Sequence, residues 1–248
     1  MTVESFYDRI GRGYSTTRRA DPRIEARIRR ALGDAQTVVN VGAGTGSYEP
    51  MDREVVAVEP SERMIRQRPL GSAPVVRALA EELPFADREF DASMAVLSDH
   101  HWSDRARGLR EMRRVARRRA VVFTWDPARV DDAWLVRDFL PGFRLLPGMA
   151  LQEIADQLGV TEVEAVPIPA DCQDGFFHAY WARPSAYLDP GVRSNISVFA
   201  RLSAAEVDTA IEQLRADLAS GAWEARNQHI LSQADMDLGY RLLIADYT

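Results

Sequence analysis

Lysine does not occur in this chain: all 31 of its basic residues are arginine. Chemistry that needs a lysine Schiff base or a lysine general base is thereby excluded, including the lysine on which many nicotinamide-dependent reductases rely. Cysteine is nearly absent as well. With Cys172 alone no internal disulfide can form, and a reducing compartment is expected. No apolar run reaches the roughly 20 residues of a membrane span, and no segment has the charged, apolar and small-residue order of a secretory leader. A soluble cytoplasmic protein without a membrane partner is the expectation. Nor is there a basic surplus: 37 acidic residues against 31 basic give a net charge of -6. That balance argues against nucleic acid as a partner, because phosphates call for a basic face.

What is present suits one enlarged α/β domain, since 248 residues at 46% hydrophobic composition can bury a full core and leave room for an insertion. The chain is organised around residues 38–59, VVNVGAGTGSYEPMDREVVAVE. Val38, Val39 and Val41 form a β-branched stretch too short for a helix, and Gly42, Gly44 and Gly46 follow at once. This is a buried parallel strand running into a tight turn. Glycine suits such a turn because a side chain would block the approach of backbone to a ligand, and because φ is often positive there. The second apolar run, residues 55–58, ends at Glu59, where a carboxylate at a strand's C-terminal edge accepts both hydroxyls of a ribose. The dinucleotide fingerprint GxGxxG would put its third glycine at position 47, which is Ser47.

The run is GxGxG instead, and with an acid closing the second strand it resembles the first two motifs of the class I S-adenosylmethionine (SAM) dependent methyltransferases. The resemblance implies SAM as cofactor, with its methionine part over Gly42, Ala43 and Gly44, and its ribose on Glu59 beside Pro60. Asn40 stands where that family usually has Asp, so the turn keeps hydrogen-bonding capacity there and loses a charge. Residues 7–19, YDRIGRGYSTTRR, resemble the family's N-terminal cover, in which Tyr7 and Tyr14 lie over the cofactor and Arg18 pairs with the SAM carboxylate. Met64 falls near the adenine. The stretch ALAEELPFADREFD resembles a loop that holds the base through Ala80 and Glu81, with Leu79 where an Asp commonly grips the adenine amine.

Residues 97–104, LSDHHWSD, come after a fourth strand and resemble the family's LxxHHWxD. Leu97 there is a further cofactor contact. A histidine at this edge can take a proton from a substrate hydroxyl, and because adjacent residues of a helix diverge, one of His100 and His101 is expected to face the acceptor, His101 in preference. The competing base is His178, within an aromatic cluster of Phe176, Phe177, Tyr180, Trp181 and Tyr187. No metal ligand set is expected. A helix with an apolar stripe at Ala106, Leu109, Met112 and Ala116 should present its arginines to solvent, and a helix opened by Asp131 or Asp132 and a sixth strand over residues 160–168 come next.

The resemblance implies a Rossmann-like seven-stranded mixed sheet of order 3-2-1-4-5-7-6, and a helical lid inserted before the last strand completes the expected fold. Residues 1–36 form a helical cofactor cover, 37–168 and 237–248 the SAM-binding domain, and 169–236 the lid. The expected function is methyl transfer to a small organic acceptor, apolar or aromatic, such as a natural-product intermediate methylated on oxygen or carbon. The alternatives are a SAM-binding protein without turnover, a partner-stabilising subunit, and, disfavoured by Ser47 and the missing lysine, an NAD(P)-dependent reductase. Arsenite methylation, another activity on this fold, uses several thiols and is disfavoured by the single cysteine.

Overall fold

Short β-branched runs make the sheet, and the alternation along them decides which helices cover each face. The computed structural model describes residues 18–145 and 149–247; Tyr7 and Tyr14 lie outside them. The chain first forms α1 (Pro22–Ala31), β1 (Thr37–Val41), β2 (Glu54–Val58), α2 (Glu62–Arg66), β3 (Val75–Val76) and β4 (Phe90–Val96). Then come α3 (Arg105–Val115), β5 (Ala116–Trp125), α4 (Trp134–Asp138), α5 (Leu151–Leu158) and β6 (Glu162–Ala165). The last part holds β7 (Ile168–Pro169), α6 (Pro190–Ser194), α7 (Ala204–Ser220), α8 (Ala222–Asn227), β8 (Asp235–Met236) and β9 (Tyr240–Asp246). Seven strands join in the order β3-β2-β1-β4-β5-β9-β6, with β9 antiparallel to both its neighbours. Counting β9 as the seventh strand of the sheet, this is the expected 3-2-1-4-5-7-6 arrangement.

The central strands are buried on both faces, and their residues divide by parity. Val121 and Phe123 of β5 and Leu242 and Ile244 of β9 join one core with Ile24 and Ile28 of α1 and Trp134, Leu135 and Val136 of α4. Val122, Leu243 and Ala245 join the other with Leu109, Met112 and Val115 of α3 and Ile154 and Leu158 of α5. Each such side chain contributes about 1.5 to 3 kcal/mol on burial. Helix α1 is started by Pro22 in its first turn and by Asp21, whose Oδ1 accepts from the Arg23 N–H (3.0 Å). Asp21 is itself fully buried. Burial opposes its charge, yet the Arg23 side chain and the Gln173 and Arg23 amides hold its carboxyl down at about 2.

Three element boundaries differ from expectation, each for a local reason. The sixth strand stops at Ala165: Pro167 has no N–H to donate, and the chain leaves the sheet to pair Ile168 with Met236 and Pro169 with Asp235. Neither Asp131 nor Asp132 opens a helix, because they serve as partners of Arg144 and Arg129, and α4 begins at Trp134. Ala116, expected on the stripe of α3, begins β5 opposite Phe90. Arg107, Arg110 and Arg113 of α3 do face outward, and Arg114 pairs with Glu111 and Asp87, but Arg105 at its start turns inward onto the buried Asp99. Among the described residues no helix is long and apolar enough to cross a membrane.

The β7–β8 pair closes the neck of the insertion, and the inserted residues pack onto the sheet's own core. Trp134 Nε1–H donates to the Trp181 carbonyl (2.8 Å) and Trp181 Nε1–H to that of Ile168 (2.9 Å). Trp134 also meets Trp223 and Tyr187 edge-on, at 5.2 and 5.8 Å between centroids. Trp134→Ala should therefore destabilise the whole chain by about 3 to 5 kcal/mol in denaturant unfolding. A loss under about 1 kcal/mol, or two separate transitions, would show that insertion and sheet fold independently.

Candidate functional site

The turn after β1 is folded around a carboxylate. Gly42 and Ala43 N–H both donate to the Val58 carbonyl (2.9 Å each), which draws the turn across the end of β2. The next residue of β2's exit, Glu59, is buried, and its Oε2 accepts from the Gly44 N–H and its Oε1 from the Ser61 N–H, at 2.8 Å each. Ser61 caps α2 by accepting from the Met64 N–H (3.2 Å). Gly44 has φ 54°, and a Cβ built there would meet nothing within 4 Å. The turn therefore opens onto space on the side where a ligand would lie. Gly42, at φ 71°, is glycine for another reason: a Cβ would come within 2.6 Å of the Ser98 Cβ.

Glu49 and Arg68 support this turn and have no counterpart in the sequence reading. Asn40 Nδ2 donates to Glu49 Oε1 (3.2 Å), Arg68 Nη2 to both Glu49 oxygens (2.9 and 2.8 Å), and Arg68 Nη1 to the Gly44 carbonyl (3.3 Å). The charge missing at Asn40 is thus supplied nine residues later, in a pair whose side chains are 5% and 8% exposed. Nothing short of the folded turn relates positions 40, 49 and 68. A polar pair flanking the glycines was the only signal available.

The loop leaving β4 walls two spaces at once. On one side Ser98 Oγ–H donates to the Val41 carbonyl (2.9 Å), and Ser98 and Trp102 pack against Gly42. On the other, Leu97, His100 and His101 line a cleft of about 1040 Å³, counting the part open to solvent. Leu97 has φ 51°, a left-handed conformation that costs a non-glycine residue roughly 1 to 3 kcal/mol and is typical of functional loops. His100 and His101 both line the cleft, 4.0 Å apart between ring centroids. This corrects the expectation that one alone would face it: the segment is a single 3-10 turn, Asp99–His101, and its two rings lie one against the other. Burial, with the charges of His100, Arg201 and Arg18 adding to it, holds the His101 pKa well below the ordinary histidine value.

Thr124, Trp125 and Tyr240 at the strand ends, and Phe176, Phe177 and His178 from the insertion, complete the cleft with residues 195–198 and Arg201. The aromatic cluster divides: Trp181 and Tyr187 are core, and Phe176, Phe177 and His178 form the wall. Burial pushes His178 down to about 3. Its Nδ1 lies 3.2 Å from the Tyr240 hydroxyl, whose oxygen already accepts from the His178 N–H (3.4 Å). In the tautomer where the Tyr240 O–H donates to Nδ1, the ring proton is on Nε2, an atom buried without a partner.

The remaining candidates lie buried or have partners within the chain. Arg18 lines the cleft, but its Nε and Nη2 donate to the two oxygens of Asp174 (2.7 and 3.3 Å), so an acid of the insertion holds the guanidinium expected on the SAM carboxylate. Glu81 turns towards the start of α3, its Oε1 accepting from Ser103 Oγ–H (2.8 Å) and the Asp104 N–H (3.0 Å). Met64 and Ala80 are buried, Leu79 is exposed, and the Pro60 carbonyl accepts from Arg77 Nε–H (3.2 Å). Burial raises the Cys172 thiol to about 12, so it offers no thiolate. Among the described residues no group of three or more His, Cys, Asp or Glu is placed to hold a metal.

Comparison with known proteins agrees with this layout. A family described as "methyltransferase domain" matches residues 39–124, from β1 to the end of β5. The solved structure of a protein described as a methyltransferase from an antibiotic biosynthesis pathway of Anabaena variabilis is 30% identical, with a TM-score of 0.83 over 92% of this chain and 98% of that one. Among curated proteins, an uncharacterised protein of Methanocaldococcus jannaschii is 27% identical over 147 residues, 57% of this chain and 58% of that protein. YafE of Escherichia coli is 34% identical over 111 residues, 43% of this chain and 50% of that one. The chain thus spans little more than half the length of the curated relatives it matches.

Two measurements test the site. Gly44→Val should abolish SAM binding, because its side chain would fill the open side of the turn, and Glu59→Ala should weaken it by about 1.5 to 3 kcal/mol; unchanged affinities in calorimetry would remove this turn from the site. The second concerns acid stability. His178 stays neutral in the folded chain down to about 3, whereas in the unfolded chain it protonates below about 6.5. Protons then favour the unfolded state, so stability falls as pH drops from about 6.5 towards 3, by about 1.4 kcal/mol per unit from this residue. His178→Gln should flatten that slope relative to the parent, and parallel slopes would contradict the burial.

Proposed function

This chain belongs to the class I SAM-dependent methyltransferase family, and from that premise we propose that it transfers a methyl group to a small organic acceptor seated in the aromatic-walled cleft. The observation that carries the reading is the shared wall: the one loop after β4 presses Ser98 and Trp102 on the glycine turn and turns Leu97, His100 and His101 into the cleft. A donor on one side and an acceptor on the other would meet across it. The residues present fit SAM, since the turn is open at Gly44 and Glu59 is a buried carboxylate at the C-terminal edge of β2. Gly42, Ala43 and Gly44 would hold its methionine part and Glu59 its ribose. When bound, SAM would supply a sulfonium methyl group whose carbon bonds to the acceptor's nucleophilic atom as its C–S bond breaks, the electron pair leaving on the sulfur of S-adenosylhomocysteine.

The chain's own contribution is placement first. Holding the acceptor in attack geometry is worth on the order of 7 to 11 kcal/mol, against roughly 3 to 5 kcal/mol for a general base. For a hydroxyl acceptor His101 is the base: it is neutral at ordinary pH and lies on the shared wall. In the tautomer with its proton on Nε2, His178 serves as a hydrogen-bond donor instead. Residues 1–36 and 169–236 act as cover and lid, a reading supported by the Arg18–Asp174 pair that joins them. The Anabaena relative supports an intermediate of natural-product synthesis as the acceptor.

Single-turnover methylation with a panel of acceptors, read as S-adenosylhomocysteine formed, tests this. With a phenol or alcohol, His101→Ala should lower the rate by about 10²- to 10⁴-fold with SAM affinity little changed. Because a depressed pKa leaves the histidine unprotonated, the parent rate should show no acid limb from it between pH 6 and 9. A loss confined to His178→Ala would make His178 the base, and near-normal rates in both variants would mean that placement alone suffices. SAM bound with no acceptor turned over would leave a binding protein.

A further inference from the structure

We propose that the acceptor is an organic acid, an apolar or aromatic small molecule whose carboxylate or phosphate is held by Arg201. The inference rests on the methyltransferase reading and names the substrate class of that same cleft. Among the described residues, the lining holds Arg18, Arg105, Arg144 and Arg201 and no aspartate or glutamate. Three of the four are answered by an acid in the wall: Arg18 by Asp174, Arg105 by Asp99 and Arg144 by Asp131. Arg201 has no ion-pair partner among the described residues, yet its charge is felt inside the cleft, where it acts on His101. A guanidinium offers a planar fork of donors that matches carboxylate or phosphate two bonds at a time.

The other polar groups agree. In that tautomer the Nε2–H of His178 is a second buried donor facing the cleft without a partner, and Asn195 Oδ1 is a buried acceptor in the same state. Burying a polar group without a partner costs about 1 to 3 kcal/mol, a cost that a ligand carrying oxygen acceptors and one hydroxyl would remove. Phe143, Phe176 and Phe177 supply contact for an apolar body. A protonated amine or a carbocation would instead meet an excess of like charge. Arg201 is thus a specificity residue, placed to bind a part of the acceptor other than the methylated atom.

The test uses the full chain saturated with S-adenosylhomocysteine, titrated in a calorimeter with hydroxylated aromatic carboxylates and phosphates of one to three rings, their methyl esters and the corresponding amines. Acids should bind at least about 10-fold more tightly than their esters, with amines weakest. That preference should shrink by about 10- to 100-fold in Arg201→Gln, the usual worth of a charge-assisted bond, and return in part in Arg201→Lys. Carboxylate and phosphate arms tell which acid is favoured. An acid series that binds no better than its esters, or a preference that survives Arg201→Gln, overturns the inference. Failure to bind S-adenosylhomocysteine at all would instead remove the methyltransferase reading.

Discussion

The buried carboxylate of Asp174 is the interaction on which the upper half of the molecule depends. It is fully buried and is satisfied by four donors: Arg18 Nε–H and Nη2–H, the Tyr48 hydroxyl (3.0 Å) and the Gly175 N–H (2.7 Å). Tyr48 comes directly after the glycine turn, and its oxygen accepts the Asp21 N–H at the start of α1 (3.2 Å). Arg18, Tyr48 beyond the glycine turn, the start of α1 and the insertion therefore meet at one charge. A buried ion pair gains little over an apolar contact, but losing one partner strands the other charge. Such a contact acts less as a source of stability than as a condition on arrangement.

The same pairing of a buried acid with a nearly buried arginine recurs beside the acceptor cleft. Asp99 is fully buried behind the β4 loop, accepting from Arg105 Nε–H (2.9 Å) and Thr124 Oγ1–H (3.1 Å). Burial works against its charge, and the Arg105 guanidinium with His100 outweighs it, so the carboxyl lies far below the usual carboxylate range. The acids stand behind the wall and the arginines reach through it. A protein with net charge -6 thereby presents a donor-rich, cationic interior, which overall charge does not reveal.

Much of the fold and part of the site were legible in the chain. Val38 to Glu59 states its strand, turn and second strand through contiguous residues, so the register of β1 on β2 and the carboxylate at the turn could be read from spacing. The apolar stripe of Leu109 and Met112 is equally local. Position 167 misled because one proline outweighs the apolar residues around it, and Asp131 and Asp132 misled because distant arginines claimed the carboxylates that would have capped a helix.

By itself, then, the sequence determined the main elements and the identity of the turn, because each is encoded by residues within a few positions of one another, while the sheet order came only with the family resemblance that those motifs carry. Only the tertiary structure decided what the polar side chains do. That Arg18 pairs with Asp174, that Glu49 and Arg68 replace the charge missing at Asn40, that Tyr240 meets His178 Nδ1, and that Arg201 alone of four cleft arginines goes without an acid among the described residues are facts about groups 9 to 156 positions apart. Charges and hydrogen bonds act over a few ångströms of space, and the distance along the chain between two partners carries no trace of them.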